Sequence, residues 1–312
     1  MILQLTFLTN LYATKILILG PKGENFNLAI QGLTHELNEF EFQQIYTQAN
    51  TPISILKTTI LNSQPDGLVL LDNSILGKIE ALSKSQPVIK ALPKFALMSL
   101  NLKSSIKNLP NSYGVELEVP AYTLFTQFRR ISDNSFSKVG VFYQKSLQEY
   151  INISKKQLAK ELIELVAICV DCDDKSTERD IINKMNKGAR SFIFKERINV
   201  IWMLADNATL NKKTLKDFWL KTIKPSKFSV VTPFAEYTKP QVNLGHFAAQ
   251  VDFQALGSQT GMMIESYFDG QMPRMRTEPP LVVKTYLNLF KAKQTSLKIN
   301  SQQLQNIDHI LE

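Results

Sequence analysis

The stretch RINVIWMLADNATL (residues 197–210) constrains the fold more than any other part of this chain. Ile198, Val200, Ile201, Trp202, Met203 and Leu204 form an almost unbroken apolar run of strand length. A strand wetted on one face alternates polar and apolar residues. A run like this one is buried on both faces, as in a parallel sheet covered by helices. It stops at Ala205-Asp206-Asn207-Ala208-Thr209, and a helix-like segment, Lys212–Ile223, follows. In open parallel sheets ligands settle beyond the carboxyl ends of the strands, which makes Asp206, Asn207 and Thr209 candidate contacts. The same residue types turn a chain and cap a helix, so the local sequence leaves both roles open.

The pattern recurs along the chain. Strands are predicted at Lys15–Leu19, Glu41–Tyr46, Gly67–Leu71, Phe95–Leu100 and Val115–Val119, with helices at Asn25–Asn38, Ile53–Leu61 and Leu76–Lys84 between the first four. The cycle then restarts with a helix at Tyr122–Arg130 and a strand at Lys138–Tyr143. A helix over Leu147–Leu162 and a strand over Ile163–Val170 follow. Glu178–Asn186 reads as a helix ended by Lys187-Gly188, glycine being a natural C-terminal cap, and Ser191–Phe194 as a short strand or turn. Phe228–Pro233 is a further strand. After it the rhythm changes: Gly257–Phe268 is helical with Met262, Met263 and Tyr267 inward, Leu281–Lys284 is a strand, and Tyr286–Ala292 and Ser301–Leu311 are helices. Such alternation is that of an α/β fold with parallel sheets, and the doubling predicts two like lobes facing a common cleft.

Composition excludes several function classes. With 44% hydrophobic and 21% charged residues, the 312-residue chain is globular in type. Its net charge of +8 comes from lysines scattered singly. No arginine-rich run is interleaved with aromatics, so nucleic-acid binding is not expected. Residues 1–13, MILQLTFLTNLYA, read as a short secretory signal cleaved after Ala13, or as an N-terminal strand. They lack a basic start, and Leu11 is large for its place. Cys169 and Cys172 are the only cysteines. Cys169 lies within an apolar run and reads as a buried strand residue, and the acidic flank Asp171, Asp173 and Asp174 disfavours a thiolate. His35, His246 and His309 have no partner at metal-ligand spacing. The chain has no GxSxG elbow, and GPKGENF has neither phosphate-loop spacing. No acid, base and nucleophile assemble, so the chain reads as a binder and not an enzyme, with no cofactor and no metal.

SKVGVFYQ, IWMLADNAT and GHFAAQVDFQALGSQTGMMIESYFDGQMP, in that order, resemble the substrate-binding proteins of ABC transporters of the tryptophan/tyrosine-type group. SQPDGLVLLDNS is similar to the third strand and loop of that family, and LVVKTYLNLFKAKQTSLKINSQQLQNIDHILE to its C-terminal part. The resemblance implies the type I periplasmic binding protein fold: two Rossmann-like lobes with parallel sheets, joined by a three-segment hinge and closing on a small, amino-acid-like solute. Residues 14–118 and 252–274 would form one lobe, and 119–251 and 275–312 the other. It further implies ligand contacts from Asn25, Asp72, Asn73, Ser74 and Ser99 in the first lobe. In the second they would come from Tyr143, Asp206, Asn207, Thr232 and Phe234, with Asp252 at the last hinge crossing. Asp206 would accept from an ammonium group, and Tyr143 or Phe234 would stack on an apolar side chain. The implied partner is an ABC permease of the inner membrane or a sensory receptor. The implied location is the periplasm, and the implied state a monomer. YQKSLQ departs from the Asn-Ser loop expected after the first strand of the second lobe.

Overall fold

A computed structural model describes residues 13–133, 136–173, 176–295 and 297–312. Apart from Ala13, the expected signal segment lies outside them. The chain opens with β1 (Lys15–Gly20), α1 (Glu24–Glu36), β2 (Glu41–Tyr46), α2 (Ile53–Ser63), β3 (Gly67–Leu71) and α3 (Asn73–Ser85). It continues through α4 (Pro87–Ala91), β4 (Lys94–Leu97), α5 (Leu102–Ser105), β5 (Ser112–Val115) and α6 (Ala121–Ile131). Then come β6 (Lys138–Tyr143), α7 (Gln148–Lys160), β7 (Glu164–Cys169), α8 (Glu178–Phe194) and β8 (Val200–Trp202). A short α9 (Lys212–Thr214) passes into a π-helical stretch, Leu215–Ile223, before β9 (Ser229–Thr232). The remainder comprises β10 (Phe247–Val251), α10 (Phe253–Phe268), β11 (Thr277–Glu278), β12 (Val283–Asn288), α11 (Leu289–Gln294) and β13 (His309–Leu311).

The chain divides into two compact units. One is Met1–Leu117 with Phe253–Glu278, the other Glu118–Asp252 with Pro279–Glu312. The first holds a six-stranded sheet, order β11-β5-β4-β3-β1-β2, in which every pairing is parallel. The second holds a seven-stranded sheet, order β13-β12-β10-β9-β8-β6-β7, in which only β10 and β12 run antiparallel. Both sheets are thus dominated by parallel strands, as the apolar runs require. The six apolar residues of the 198–204 run are all buried. Among the described residues no helix is long and apolar enough to cross a membrane.

Each core is closed by helices on its sheet. In the first unit α1 packs on α10 so closely that a Cβ on Gly32 would lie 1.9 Å from the Gln254 carbonyl oxygen, and one on Gly257 the same distance from that of Ala29. Only glycine allows the two backbones that approach. In the second unit Phe142, Met185, Phe192, Phe218 and Trp219 share one buried cluster.

Several elements differ from the sequence expectation, each for a tertiary reason. The helix expected to end at Lys187-Gly188 runs on through Phe194, taking in the expected strand or turn at Ser191–Phe194. Its buried face continues past the glycine, through Gly188, Ala189 and Phe192, so the helical period still has a core to meet. A Cβ on Gly188 would lie 2.6 Å from the Phe142 ring. The strand expected at Val115–Val119 is β5 at Ser112–Val115, after which Glu116 N–H bonds to the Glu278 carbonyl and the chain leaves the sheet. Tyr286 belongs to a strand, not a helix, and pairs with Ala248. The helix expected at Ser301–Leu311 is a 3-10 segment, Ser301–Asn306, followed by β13, because His309 pairs with Tyr286 in register and stacks on its ring at 4.5 Å. Met262, expected inward, is 42% exposed, while Met263 beside it is buried.

Candidate functional site

The polar loop after β8 is organised by one carboxylate. Asp206 Oδ1 accepts from the N–H groups of Ala208 (2.7 Å) and Thr209 (3.4 Å), and Oδ2 from the N–H of Gln144 (2.8 Å) in the loop after β6. The side chain is buried, and burial pushes its carboxyl above the usual carboxylate range in spite of those three bonds. Helix capping falls to Asn211, whose Oδ1 accepts from the N–H groups of Lys213 and Thr214 at 2.9 and 3.0 Å. Thr209, fully buried, offers its carbonyl to the Trp219 indole N–H at 2.7 Å, fastening the loop to the π-helical stretch. Asn207 is left exposed.

A second carboxylate holds the β6 loop from its other side. Asp171 Oδ1 accepts from the Lys145 N–H at 2.6 Å. Asp171 sits in the turn closed by a Cys169–Cys172 disulfide. Cys169, read from sequence as a buried strand residue, is half-buried and bonded.

The other residues singled out in the sequence occupy distinct positions. Asn25 lies exposed in the first turn of α1. Asp72 caps α3, accepting from the Ile75 N–H at 2.9 Å, and does so at φ 103°, a backbone geometry that costs a non-glycine residue energy. Asn73 is spent on the chain itself: its amide bonds to the Leu100 carbonyl and accepts from the Leu100 N–H, at 2.7 and 2.8 Å. Ser74 is half-buried beside it, and Ser99 is fully buried. The Tyr143 hydroxyl donates to Gln148 Oε1 at 2.7 Å. Thr232 is fully buried and accepts from the Phe234 N–H at 3.3 Å, while Phe234 is half-exposed against Tyr237. Asp252 pairs with Lys284 at 2.5 Å. His246 is structural: it accepts from the Val230 N–H, meets the Thr295 hydroxyl at 2.7 Å, and is pushed by burial down to a pKa of about 3.

The second unit also has a small, partly open recess at the carboxyl ends of β8 and β9. Val119, Leu124, Leu147, Tyr150, Trp202 and Leu204 supply most of its wall. Among the described residues lining it, Glu118 alone carries a charge. Sequence reasoning passed over Trp202 because an aromatic residue within an apolar run reads as core. Its signal was its place three residues before the chain turns to the Ala205–Thr209 loop.

No family model and no curated protein matches the chain. Solved structures share its architecture. A ligand-free, open substrate-binding protein with adhesive properties from Clostridium difficile superposes with a TM-score of 0.67 at 16% identity, over 96% of this chain and 99% of that one. The ABC domain from Streptococcus pneumonia in complex with L-Trp gives 0.62 at 16% identity, over 96% and 100%. A LacI family transcriptional regulator from Bifidobacterium animalis subsp. lactis gives 0.51 at 16% identity, over 87% and 95%. These likenesses, with two α/β units of parallel-dominated sheets, give the chain the type I periplasmic binding protein fold. Substrate-binding proteins and a LacI family regulator are among the solved structures that share it.

Proposed function

We propose that the chain is a solute-binding protein that delivers a small ligand to an ABC importer, with the hinge-closing capture that the resemblance implies. The observation that carries this reading is the likeness in fold, over 96% of the chain, to substrate-binding proteins. The L-Trp complex among them supports an amino-acid-like ligand. In this reading the chain works as a monomer in the periplasm, and its partner is a permease of the inner membrane.

Within each unit the loops that follow the parallel strands hold the solute. Asn25, Asp72 and Ser74 in the first unit, and Asn207 and Phe234 in the second, keep surface outside the core and are the proposed contacts. Asn73, Ser99, Tyr143, Asp206 and Thr232 shape those loops, and Asp252 orders the chain crossing through its pair with Lys284.

A thermal-shift and calorimetric screen of the purified protein against amino acids and related solutes tests the reading. A ligand present at 100 times its Kd adds about 2.7 kcal/mol of stability, so a true solute raises Tm. A screen in which none does overturns the reading. The LacI-type likeness supports a second reading, a ligand-sensing module that signals to a partner. In that case the protein binds a solute and fails to support uptake in membrane vesicles carrying the permease.

A further inference from the structure

We infer that the outer face of α8 and of the π-helical stretch beside it docks on an anionic phospholipid bilayer, with Phe194 entering the headgroup layer. The inference stands apart from which solute the protein holds. The second unit carries 25 lysines and arginines against 17 aspartates and glutamates, the first 11 against 11, so the whole net charge of +8 belongs to the second. Between positions 184 and 227 alone there are 11 basic residues against 3 acidic ones. Of those three, Asp206 is buried, Asp217 is half-buried, and Glu196 is half-buried and pairs with Lys138 at 3.5 Å. Lysines that stand singly in the sequence are gathered here by the fold.

The two elements turn the same way. Met185 and Phe192 of α8 share one buried cluster with Phe218, Trp219 and Ile223 of the π-helical stretch. Thr222 Oγ1 donates to Asn186 Oδ1 at 2.9 Å across the joint between them. Their opposite sides therefore make one outer surface. On α8, Lys187, Arg190 and Phe194 recur at helical spacing and are all exposed. Lys216, Leu220 and Lys221 are exposed on the neighbouring stretch. Phe194 is 81% exposed, a large ring standing in water among cations. An anionic bilayer satisfies both kinds of group: lipid phosphates meet the cations, and the boundary of headgroup and acyl chain takes the ring. A nucleic acid would meet the cations and leave Phe194 and Leu220 against water or phosphate.

The other face of the same sheet supplies a matched control. Trp202 meets the rings of Phe125 on α6 and Tyr150 on α7, whereas Ile201 and Met203 on either side of it join the α8 cluster. Successive strand residues point to opposite faces, so α6 and α7 lie across the sheet from α8. They expose Arg130, Lys155, Lys156 and Lys160.

Flotation of the full chain with vesicles of phosphatidylcholine, or of equal parts phosphatidylcholine and phosphatidylglycerol, tests the inference. Wild type should float with the anionic vesicles only, and should be released as salt rises from about 0.05 to about 0.5 M. Duplex DNA at equal phosphate should not displace it. Lys187→Glu, Arg190→Glu, Lys216→Glu and Lys221→Glu together should weaken partitioning at least about tenfold. Changing Arg130, Lys155, Lys156 and Lys160 to Glu alters net charge equally and should weaken it less than about threefold. Phe194→Ser should weaken it at least about threefold. All these positions are exposed, so the core is untouched, and thermal unfolding checks that each variant folds. Flotation with both vesicles alike or with neither overturns the inference. So do displacement by DNA, equal losses from the two sets of reversals, and unchanged partitioning of Phe194→Ser. Each of these leaves the solute-binding reading standing.

Discussion

Asp206 and Gln144, 62 positions apart, are joined by a 2.8 Å bond from the Gln144 backbone N–H to the Asp206 carboxylate, and this ties the loop after β8 to the loop after β6. The same carboxylate takes two N–H groups of its own loop. Asp206→Ala strands all three donors and should cost about 3 kcal/mol, read as a fall in urea midpoint. Asp206→Asn keeps the shape and one acceptor and removes a buried charge, so it should cost less than half as much. Because burial raises this carboxyl, the fold holds its proton more tightly than the unfolded chain does. The stability this group contributes is present in acid and is lost as pH rises through its folded pKa. The advantage of wild type over Asp206→Asn should therefore shrink from pH 4 towards pH 7. An advantage that grows over that range contradicts the assignment.

Lys94 carries the opposite sign. Its side chain is fully buried, with the ammonium donating to the carbonyls of Leu92 (2.6 Å), Lys90 (3.2 Å) and Pro110 (3.3 Å), and burial pushes its pKa down to about 8. The unfolded chain keeps this proton to about 10.5, so stability should rise with pH between about 8 and 10.5. The gain is about 3 kcal/mol. Lys94→Met should lack that rise when unfolding free energies at pH 7 and pH 10 are compared with those of wild type.

The Cys169–Cys172 bridge closes a very short loop, so its entropic contribution is small, about 2 kcal/mol. Reduction, or replacement of both cysteines by serine, should lower stability by that amount. It should also speed amide exchange at Lys145, the residue that Asp171 holds. Unchanged exchange at Lys145 would separate the bridge from the loop.

Gly32 and Gly257 meet the backbone of the facing helix, which cannot move aside as a flexible side chain can. Gly32→Ala and Gly257→Ala should each cost about 3 kcal/mol, by forcing α1 and α10 apart. Gly77→Ala, where nothing lies within 4 Å, is the control and should not destabilise. Thermal unfolding of the three variants settles the comparison.

Many of the strands were legible in the sequence from their apolar content. Glu41–Tyr46, Gly67–Leu71 and Lys138–Tyr143 stand at their expected bounds, and the six apolar residues of the Ile198–Leu204 run are buried. Elements whose identity depends on a distant partner were not legible. Residues 309–311 become a strand only because β12 offers them an edge, and Thr285 binds Asp308 through both its N–H and its hydroxyl. Gly188 reads locally as a stop and is in fact a seat for the Phe142 ring. The polar loops after β3, β8 and β9 were legible, but the hydrogen bonds of their side chains were not. Asp206 and Asn73 are residue types that bind ligands, and here both are engaged by backbone groups. Trp202 and Tyr150 line a recess that only the folded chain assembles.

The double clasp on Gln144 and Lys145 bears on how this loop can change over generations. Asp206 and Asp171 grip main-chain N–H groups, not side chains. Every amino acid except proline supplies that donor, so positions 144 and 145 can vary widely without loosening the scaffold. A loop that departs from the pattern of the proteins the chain resembles, as YQKSLQ does, is then no sign of decay. The architecture leaves it free to acquire a new preference by substitution while the two acidic anchors stay in place.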